Sequence, residues 1–380
     1  MADRKSRKPK PRRSRNGFLD VINAMLTLLV LGMLVVGGVF LYGAHSFYAP
    51  GPIKADTNFL VERGSGVTQI SQGLENQGLI SNRLIFQLGS WALKKKGAIK
   101  AGEYRLTANS SMADVLNEIT EGKPILYGIT IPEGYTSWQV VSKLNEDTRL
   151  TGGIASLPPE GSVLPDTYNY DPGVTRQSVL DQMMAAQKKA VAQVWANHDP
   201  SLPVKTSDQL VVLASIVEKE TGIATERGRV AAVFANRLRK NMRLQSDPTI
   251  IYGITKGQGT LGRDLKRSEI EAATPFNTYQ VDGLPPTPIA NPGIDALKAT
   301  ANPDKTNDIY FVAAGAKPSD GHLFAATYAD HRKNVAKYRA IQREQNAAAA
   351  QADASAADAA KDAIEATQAK DAGDTTAPAK

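Results

Sequence analysis

The chain has 380 residues, no cysteine and a formal net charge of +7, so disulfides, thiol catalysis and cysteine-ligated zinc are excluded. The charge lies at the start of the chain, where residues 1–16 carry eight Lys/Arg against one Asp and leave the remainder formally neutral. Because nucleic-acid binding needs a basic face on the folded body, this charge does not indicate a nucleic-acid-binding protein.

An apolar run after the basic segment predicts a membrane-spanning helix. It covers Val21–Tyr42 and is broken only by Asn23, Thr27 and glycines. At 1.5 Å per residue it spans roughly 33 Å, enough for a hydrocarbon core of about 30 Å. The competing interpretation is a cleavable signal peptide, whose apolar stretch is normally about 7–15 residues. We therefore predict a retained anchor over residues 17–43, with residues 1–16 in the cytoplasm and the remainder outside.

Three strand–turn–helix units follow a short stalk, which we place at Ala44–Lys54. The units run from Phe59 to Gln77, from Glu103 to Thr120 and from Gly128 to Asn145. Residues 50–155 are predicted to form a module that resembles LysM, a fold that binds glycans containing N-acetylglucosamine. The competing interpretation is a small α+β domain that only positions the next part of the chain.

Residues 156–344 are predicted to form a second, larger α+β domain. Apolar spacing predicts three helices, namely Ser178–His198, Ser207–Thr221 with Ser207 as N-cap, and Glu226–Lys240. Frequent Gly and Pro predict loops and turns beyond Lys240. A buried strand is predicted at Asp308–Ala314, paired with Leu323–Ala326. The alanine-rich residues 345–380 predict a frayed helix or a disordered tail, because they contain few large apolar side chains.

The helix Ser207–Thr221 carries the candidate catalytic residues. It is apolar nearly all round, so we expect it to be buried. Glu218 and Glu220 lie near its end, and Glu218 is on the same side as Ala214 and Ser215, whose small side chains leave room for a ligand. Burial and the negative end of the helix dipole both favour the protonated carboxyl that a general acid needs. Solvated helix-end glutamates are the plainer interpretation, and periodicity does not separate Glu218 from Glu220.

Several short motifs in this region occur in one order. They are Leu164–Tyr168, Leu213–Gly222, Val230–Leu238, Leu244–Thr249, Asn277–Tyr279, Gly283–Pro286, Asn291–Gly293 and Gly321–His322. Together they resemble the MltG (YceG-like) endolytic murein transglycosylase family, from the anchor to about Asn334. Phe276 and Thr287 depart from the family's pattern, which has Tyr and Gly there. The resemblance implies an α+β YceG-like catalytic domain with Glu218 as its catalytic residue.

The resemblance implies cleavage of the β-1,4 bond between N-acetylmuramic acid (MurNAc) and N-acetylglucosamine (GlcNAc) within a glycan strand. Glu218 would protonate the leaving oxygen and then take the proton of the muramyl 6-hydroxyl, which closes a 1,6-anhydro ring. One alternative is a muramidase, which hydrolyses the same bond and would use a second carboxylate, with Asp247 and Glu220 as candidates. An alternative from another class is a non-catalytic peptidoglycan-binding or division scaffold.

Five polar residues are candidates for substrate binding, because they offer hydrogen bonds to sugar hydroxyls and the acetamide. They are Glu220, Ser246, Asp247, Asn277 and Tyr279. Turn formation is the competing interpretation, above all for Asp247. We expect neither a metal nor a cofactor, because the four histidines form no helical His-x-x-x-His pair.

The anchor and the resemblance together predict partners and a location. The expected partners are peptidoglycan glycan strands, the lipid bilayer and, as a hypothesis from the membrane tether, peptidoglycan synthases. The expected location is the bacterial inner membrane, with the N-terminus in the cytoplasm and the catalytic domain in the periplasm.

Overall fold

The computed structural model describes residues 17–373 and divides them into two compact units. Unit 1 ends at Tyr127 and unit 2 begins at Gly128. The basic segment 1–16, predicted to be cytoplasmic, lies outside the described residues, as do residues 374–380. Each unit contains a buried apolar cluster of its own.

Helix α1 (Gly17–Tyr48) contains the predicted membrane anchor. Its segment Phe18–Tyr48 is long and apolar enough to cross a membrane, and it is the one such helix among the residues that the structure describes. The helix continues past the predicted limit at residue 43 and includes the first half of the predicted stalk. It runs on because the first proline after it is Pro50, and a proline ring blocks helix continuation.

The folded part of unit 1 has two strands and three helices. In chain order these are β1 (Thr57–Val61), α2 (Val67–Asn76), α3 (Arg83–Ala92), β2 (Gly102–Leu106) and α4 (Met112–Glu121). The strands are antiparallel, with Thr57 opposite Leu106 and Val61 opposite Gly102. Alternate residues enter the core because side chains alternate across a strand. The sequence patterns predicted all of these elements except α3.

Unit 2 contains the predicted catalytic region. Its first elements are β3 (Tyr127–Thr130, whose first residue belongs to unit 1), α5 (Ser137–Glu146), β4 (Thr167–Tyr170) and α6 (Arg176–Ala196). The middle elements are α7 (Ser207–Glu220), α8 (Arg227–Arg239), α9 (Asp247–Thr255), α10 (Arg267–Glu271) and α11 (Ile294–Ala301). The last elements are β5 (Tyr310–Ala313), a 3-10 turn (Pro318–Asp320), β6 (His322–Ala325) and α12 (Tyr328–Gly373). β3 pairs with β4, and β5 pairs antiparallel with β6.

The region beyond residue 240 differs from the predicted loops and turns, because it includes the short helices α9, α10 and α11. Pro248 lies in the first turn of α9, where the amide groups have no partner inside the helix and a proline costs no hydrogen bond. Gly293 is the N-cap of α11. The helix α12 passes residue 344 without a break, because alanine has the highest helix propensity.

The division into units differs from the predicted boundary between residues 155 and 156. The third strand–turn–helix segment, which the prediction assigned to the LysM-like module, belongs to unit 2. Thr136 Oγ1 donates to Gly257 O over 2.6 Å, and the Ser137 amide donates to Glu160 Oε1 over 2.7 Å. These bonds join the segment to distant parts of unit 2. That residues 50–155 form a LysM-like module remains a prediction.

Helix α7 is the buried helix of unit 2, as its apolar composition predicted. Its residues from Leu210 to Val217 are buried, and α6, α8 and α11 pack against it. Its N-cap is Thr206 rather than the predicted Ser207, because Thr206 Oγ1 accepts the Gln209 amide over 3.2 Å. The helix ends at Glu220, so both candidate glutamates lie in its last turn.

Candidate active site

Glu218 is a half-buried carboxyl that is held at one oxygen. The amide of Gly293, at the start of α11, donates to Glu218 Oε2 over 2.9 Å. Burial raises the pKa of Glu218, the Gly293 hydrogen bond opposes this rise, and the negative charge of Glu133 adds to it. The pKa lies above its ordinary value, which is the direction that a general acid requires.

Two glycines form the wall beside Glu218. A Cβ atom on Gly134 would lie 3.5 Å from Glu218 Cγ, and Gly134 has a φ of +73°, which favours glycine. The Gly134 amide donates to Asn291 O over 3.1 Å, so the turn at Gly134 is tied to the segment that carries Gly293. Glycine backbone therefore lies directly beside the carboxyl.

The space predicted at Ala214 and Ser215 is not there. Both side chains are fully buried. Ser215 Oγ donates to Val212 O over 2.7 Å and accepts the Ile289 amide over 3.0 Å, so the chain around Ile289 covers this face of α7. The small residues allow this close packing and do not open a pocket.

A second carboxylate, Glu133, approaches the same position and was not predicted. A Cβ atom on Gly293 would lie only 1.9 Å from Glu133 Oε1, so Glu133 packs directly against the residue that binds Glu218. Arg227 Nη2 lies 3.7 Å from Glu133 Oε2, and Arg227 Nη1 lies 4.0 Å from Asp295 Oδ2. The Arg227 side chain is only 8% exposed, which strengthens its electrostatic effect on both carboxylates. The sequence signal that could have identified Glu133 is its position directly before Gly134, in the turn of the third strand–turn–helix unit.

Four of the predicted substrate-binding residues lie together around Glu220. Ser246 Oγ donates to Glu220 Oε1 over 2.5 Å, and Tyr279 OH donates to Asp247 Oδ1 over 2.7 Å. Burial raises the pKa of Glu220 to about 7, against the lowering effect of the Ser246 hydrogen bond. Glu218 and Glu220 have separate sets of partners, because side chains two positions apart on a helix point roughly 200° apart.

Asn277, the fifth predicted substrate-binding residue, lies inside the protein. Its side chain is fully buried, and Nδ2 donates to the carbonyl oxygens of Glu269 (3.1 Å), Ile270 (2.9 Å) and Ala272 (2.7 Å). Asn277 Oδ1 accepts the Tyr279 amide over 3.0 Å. Both ends of the amide group are therefore used to hold the loop after α10, and through it the Tyr279 backbone.

A cavity of about 970 Å³ lies near the first turns of α7, and Glu160, Val211, Tyr252 and Thr287 are among the residues that line it. Burial raises the pKa of Glu160. The Cα atoms of Val211 and Glu218 are seven residues apart, about 10 Å along the helix axis. This cavity is therefore not the site that holds Glu218.

Known sequences match most of the chain. Two endolytic murein transglycosylases from Streptococcus pneumoniae, of strains D39 and R6, are each 30% identical over 364 residues and cover 82% of this chain. This chain spans 64% of the length of those two relatives. An endolytic murein transglycosylase from Bacillus subtilis is 29% identical over 351 residues, which cover 82% of this chain and 93% of the relative.

A solved structure and a family model match as well. A crystal structure of a YceG-like protein from Listeria monocytogenes has a TM-score of 0.45 and 26% identity, and covers 74% of this chain and 99% of that one. The model of the YceG-like family matches residues 59–337. As the motifs around Glu218 predicted, the chain belongs to the YceG-like family.

Proposed function

We propose that this protein is a membrane-anchored endolytic murein transglycosylase that uses Glu218 as both acid and base. The observation that carries the proposal is the state of the Glu218 carboxyl. Burial raises its pKa above the ordinary value, and the Gly293 amide donates a hydrogen bond to its Oε2. The relatives from Streptococcus pneumoniae and Bacillus subtilis, which are named endolytic murein transglycosylases, support the same class of reaction.

The reaction breaks the bond between C1 of MurNAc and O4 of GlcNAc. Protonated Glu218 transfers its proton to O4 while the C1–O4 bond breaks and positive charge develops at C1. The resulting carboxylate takes the proton of the muramyl O6 hydroxyl, and O6 bonds to C1. The products are a 1,6-anhydro-MurNAc end and a GlcNAc with a free 4-hydroxyl. No water is consumed, and Glu218 ends protonated, as it began.

The surroundings of Glu218 suit both steps. The hydrogen bond from Gly293 fixes Oε2 and leaves Oε1 for the proton transfers. The Glu133 carboxylate raises the pKa of Glu218, which keeps the acid protonated, and its negative charge also stabilises the cation at C1. We assign Glu133 this electrostatic role. Arg227, near Glu133, fixes the position of that carboxylate.

A muramidase is the second candidate, and Glu133 is the observation that favours it. A hydrolase normally pairs its acid with a second carboxylate that activates water or attacks the sugar. Glu133 is better placed for this role than Asp247 or Glu220, because Glu133 and Glu218 both adjoin Gly293. The two candidates differ in product: a muramidase leaves a reducing MurNAc end, and a transglycosylase leaves an anhydro end.

The group Glu220, Ser246, Asp247 and Tyr279 is proposed to bind the sugar hydroxyls and the acetamide of the glycan. The proposed topology places the N-terminus in the cytoplasm and all of the chain after α1 outside, so that the enzyme acts on strands near the membrane. A LysM-like role for residues 50–155 in glycan binding and an association with peptidoglycan synthases belong to the same proposal.

The test is mass spectrometry of the muropeptides that the full-length protein, in detergent, releases from uncrosslinked peptidoglycan. Glu218→Gln is the main variant, and Glu271→Gln, an exposed glutamate on α10, is the matched control. Anhydro-muramyl ends made by the wild type and the control, and absent with Glu218→Gln, are the expected result. Reducing ends would instead identify a muramidase. Glycan binding without cleavage by the wild type would identify the scaffold.

A further inference from the structure

Helix α3 of unit 1 lies directly against the end of α1. The Phe47 ring of α1 packs so closely on α3 that a Cβ atom on Gly89 would lie 2.3 Å from Phe47 Cε2. Phe47 and Phe86 are both buried in the core of unit 1. This core contact fixes α3 to the last turns of α1, so the two helices move as one body.

The contact reaches into the apolar part of α1. A cleft of about 400 Å³ lies between the helices and is lined by Val36, Val39 and Phe40 of α1 and by Leu88 and other residues of α3. Val36 precedes the end of the apolar run by six residues, about 9 Å of helix. If α1 spans a membrane, its residues from Val36 to Phe40 lie at the depth of the acyl chains in the outer leaflet, and α3 lies beside them.

The face of α3 that points away from the core is apolar. Leu84, Leu88 and Trp91 are 60%, 67% and 73% exposed. They are spaced four and three residues apart and so form one stripe on the helix surface. A soluble domain gains nothing from exposing a Trp and two Leu side by side, and such a patch indicates an interaction surface.

The residues around this stripe are typical of a bilayer interface. Trp91 and Tyr48, both largely exposed, have the amphipathic rings that are enriched at the level of the lipid headgroups. Lys94 and Lys96 directly follow α3 and are exposed, so their ammonium groups are available to lipid phosphates. Apolar, aromatic and basic residues thus follow one another along this short segment of the chain.

We propose that α3 is an interfacial helix, whose Leu84–Leu88–Trp91 stripe is inserted into the outer leaflet of the bilayer beside α1. The occupant of this surface is lipid: acyl chains contact the two leucines, and headgroups contact Trp91 and the lysines. Unit 1 therefore has two attachments to the membrane, and it cannot rotate freely about α1. The proposal rests on the membrane span of α1 and is independent of the chemistry at Glu218.

The absence of cysteine from the sequence allows a direct test by spin labelling. Single cysteines are introduced in the full-length protein at Leu88→Cys, at Val30→Cys in the middle of α1 and at Leu157→Cys, which is 55% exposed in unit 2. Each variant is labelled with a nitroxide and placed in nanodiscs of phosphatidylethanolamine and phosphatidylglycerol. Collision of the label with oxygen, which dissolves in lipid, is compared with collision with a water-soluble nickel chelate.

We expect the labels at positions 88 and 30 to collide with the nickel chelate several-fold less than the label at 157, and with oxygen at least as often. The proposal would be overturned if the label at 88 behaved like the label at 157 while the label at 30 was protected. That result would leave the anchor intact. Equal exposure of all three labels would overturn it as well, because the label at 30 would then show that α1 does not span the membrane. Brominated lipids provide a second readout without a substitution at α3: in Trp138→Phe/Trp195→Phe protein, they should quench Trp91 fluorescence.

Discussion

The backbone amide of Gly293 donates a hydrogen bond to Glu218 Oε2 over 2.9 Å, although the two residues are 75 positions apart in the chain. The same glycine is in contact with Glu133, since a Cβ atom on Gly293 would lie 1.9 Å from Glu133 Oε1. One residue without a side chain therefore sets the position of two carboxyl groups. The pKa of Glu218 depends on this arrangement. Burial raises the pKa, the hydrogen bond from the Gly293 amide lowers it, and the negative charge of Glu133 raises it further.

Glu133→Gln is expected to move the pH dependence of the reaction. The acid must be protonated, and the Glu133 charge raises the pKa of Glu218. Removal of that charge lowers the pKa, so the fall in kcat/KM on the alkaline side should begin at a lower pH. The pH–rate profile of the variant is the measurement, with Glu271→Gln as the control. An alkaline limb at the wild-type pH would contradict the role assigned to Glu133.

Gly293→Ala should reduce activity much more than stability. The backbone there has a φ of −69°, which alanine adopts readily, so the free energy of unfolding should change by only about 1 kcal/mol. The new methyl group displaces Glu133, and misplacement of a catalytic group by about 1 Å can cost on the order of 10²-fold in rate. Activity and thermal unfolding are measured together. Gly222→Ala, where a Cβ atom meets open space, is the matched control and should change neither.

Glu220→Gln should stabilise the protein at alkaline pH only. Burial raises the pKa of Glu220 from its ordinary 4.5 to about 7. A carboxyl with a raised folded-state pKa contributes its stability fully below the unfolded-state pKa, and that contribution is lost as the pH rises through 7. The rise corresponds to about 3 kcal/mol of unfolding free energy.

The variant removes this loss and keeps an oxygen that accepts the Ser246 hydroxyl. Its melting temperature should therefore exceed that of the wild type at pH 8 and match it near pH 4. Thermal unfolding of both proteins at the two pH values checks this. An equal difference between the proteins at both pH values would mean that the Glu220 charge is not what the substitution relieves.

Asn277→Ala is expected to act on stability and not specifically on substrate binding. The side chain donates to three backbone carbonyl oxygens and is fully buried, so its loss should cost about 2–4 kcal/mol. Chemical denaturation gives the free energy, and Asn145→Ala, at an exposed position of α5, is the control. A raised KM with unchanged stability would return Asn277 to the substrate-binding residues. Tyr279→Phe, which removes the bond to Asp247, is the variant expected to raise KM.

The helices and strands with strong local patterns could be predicted from the sequence. α7 is a clear case, because the run from Leu210 to Val217 is apolar except for Ser215 and is therefore expected in a protein core. The strands β1, β2, β5 and β6 also follow their patterns. The helix α3 was missed, because it lies between two of the predicted strand–turn–helix units and outside their repeated pattern.

The composition of the candidate site could be predicted only in part from the sequence. Periodicity placed Glu218 and Glu220 in one turn but could not assign their neighbours. The structure groups Glu220 with Ser246, Asp247 and Tyr279, each of which was predicted only as a substrate-binding residue, and it gives Glu218 a different environment.

The sequence by itself determined the long apolar helix α1, the buried helix α7 and the family, because these depend on residue type and on spacing along one segment. Only the tertiary structure decided that Glu133 and Gly293 meet at Glu218, that Asn277 points inward, and that the segment from Gly128 belongs with unit 2. Such contacts join residues that are tens of positions apart. They depend on how the loops close and how the helices pack, and a local sequence pattern predicts neither property.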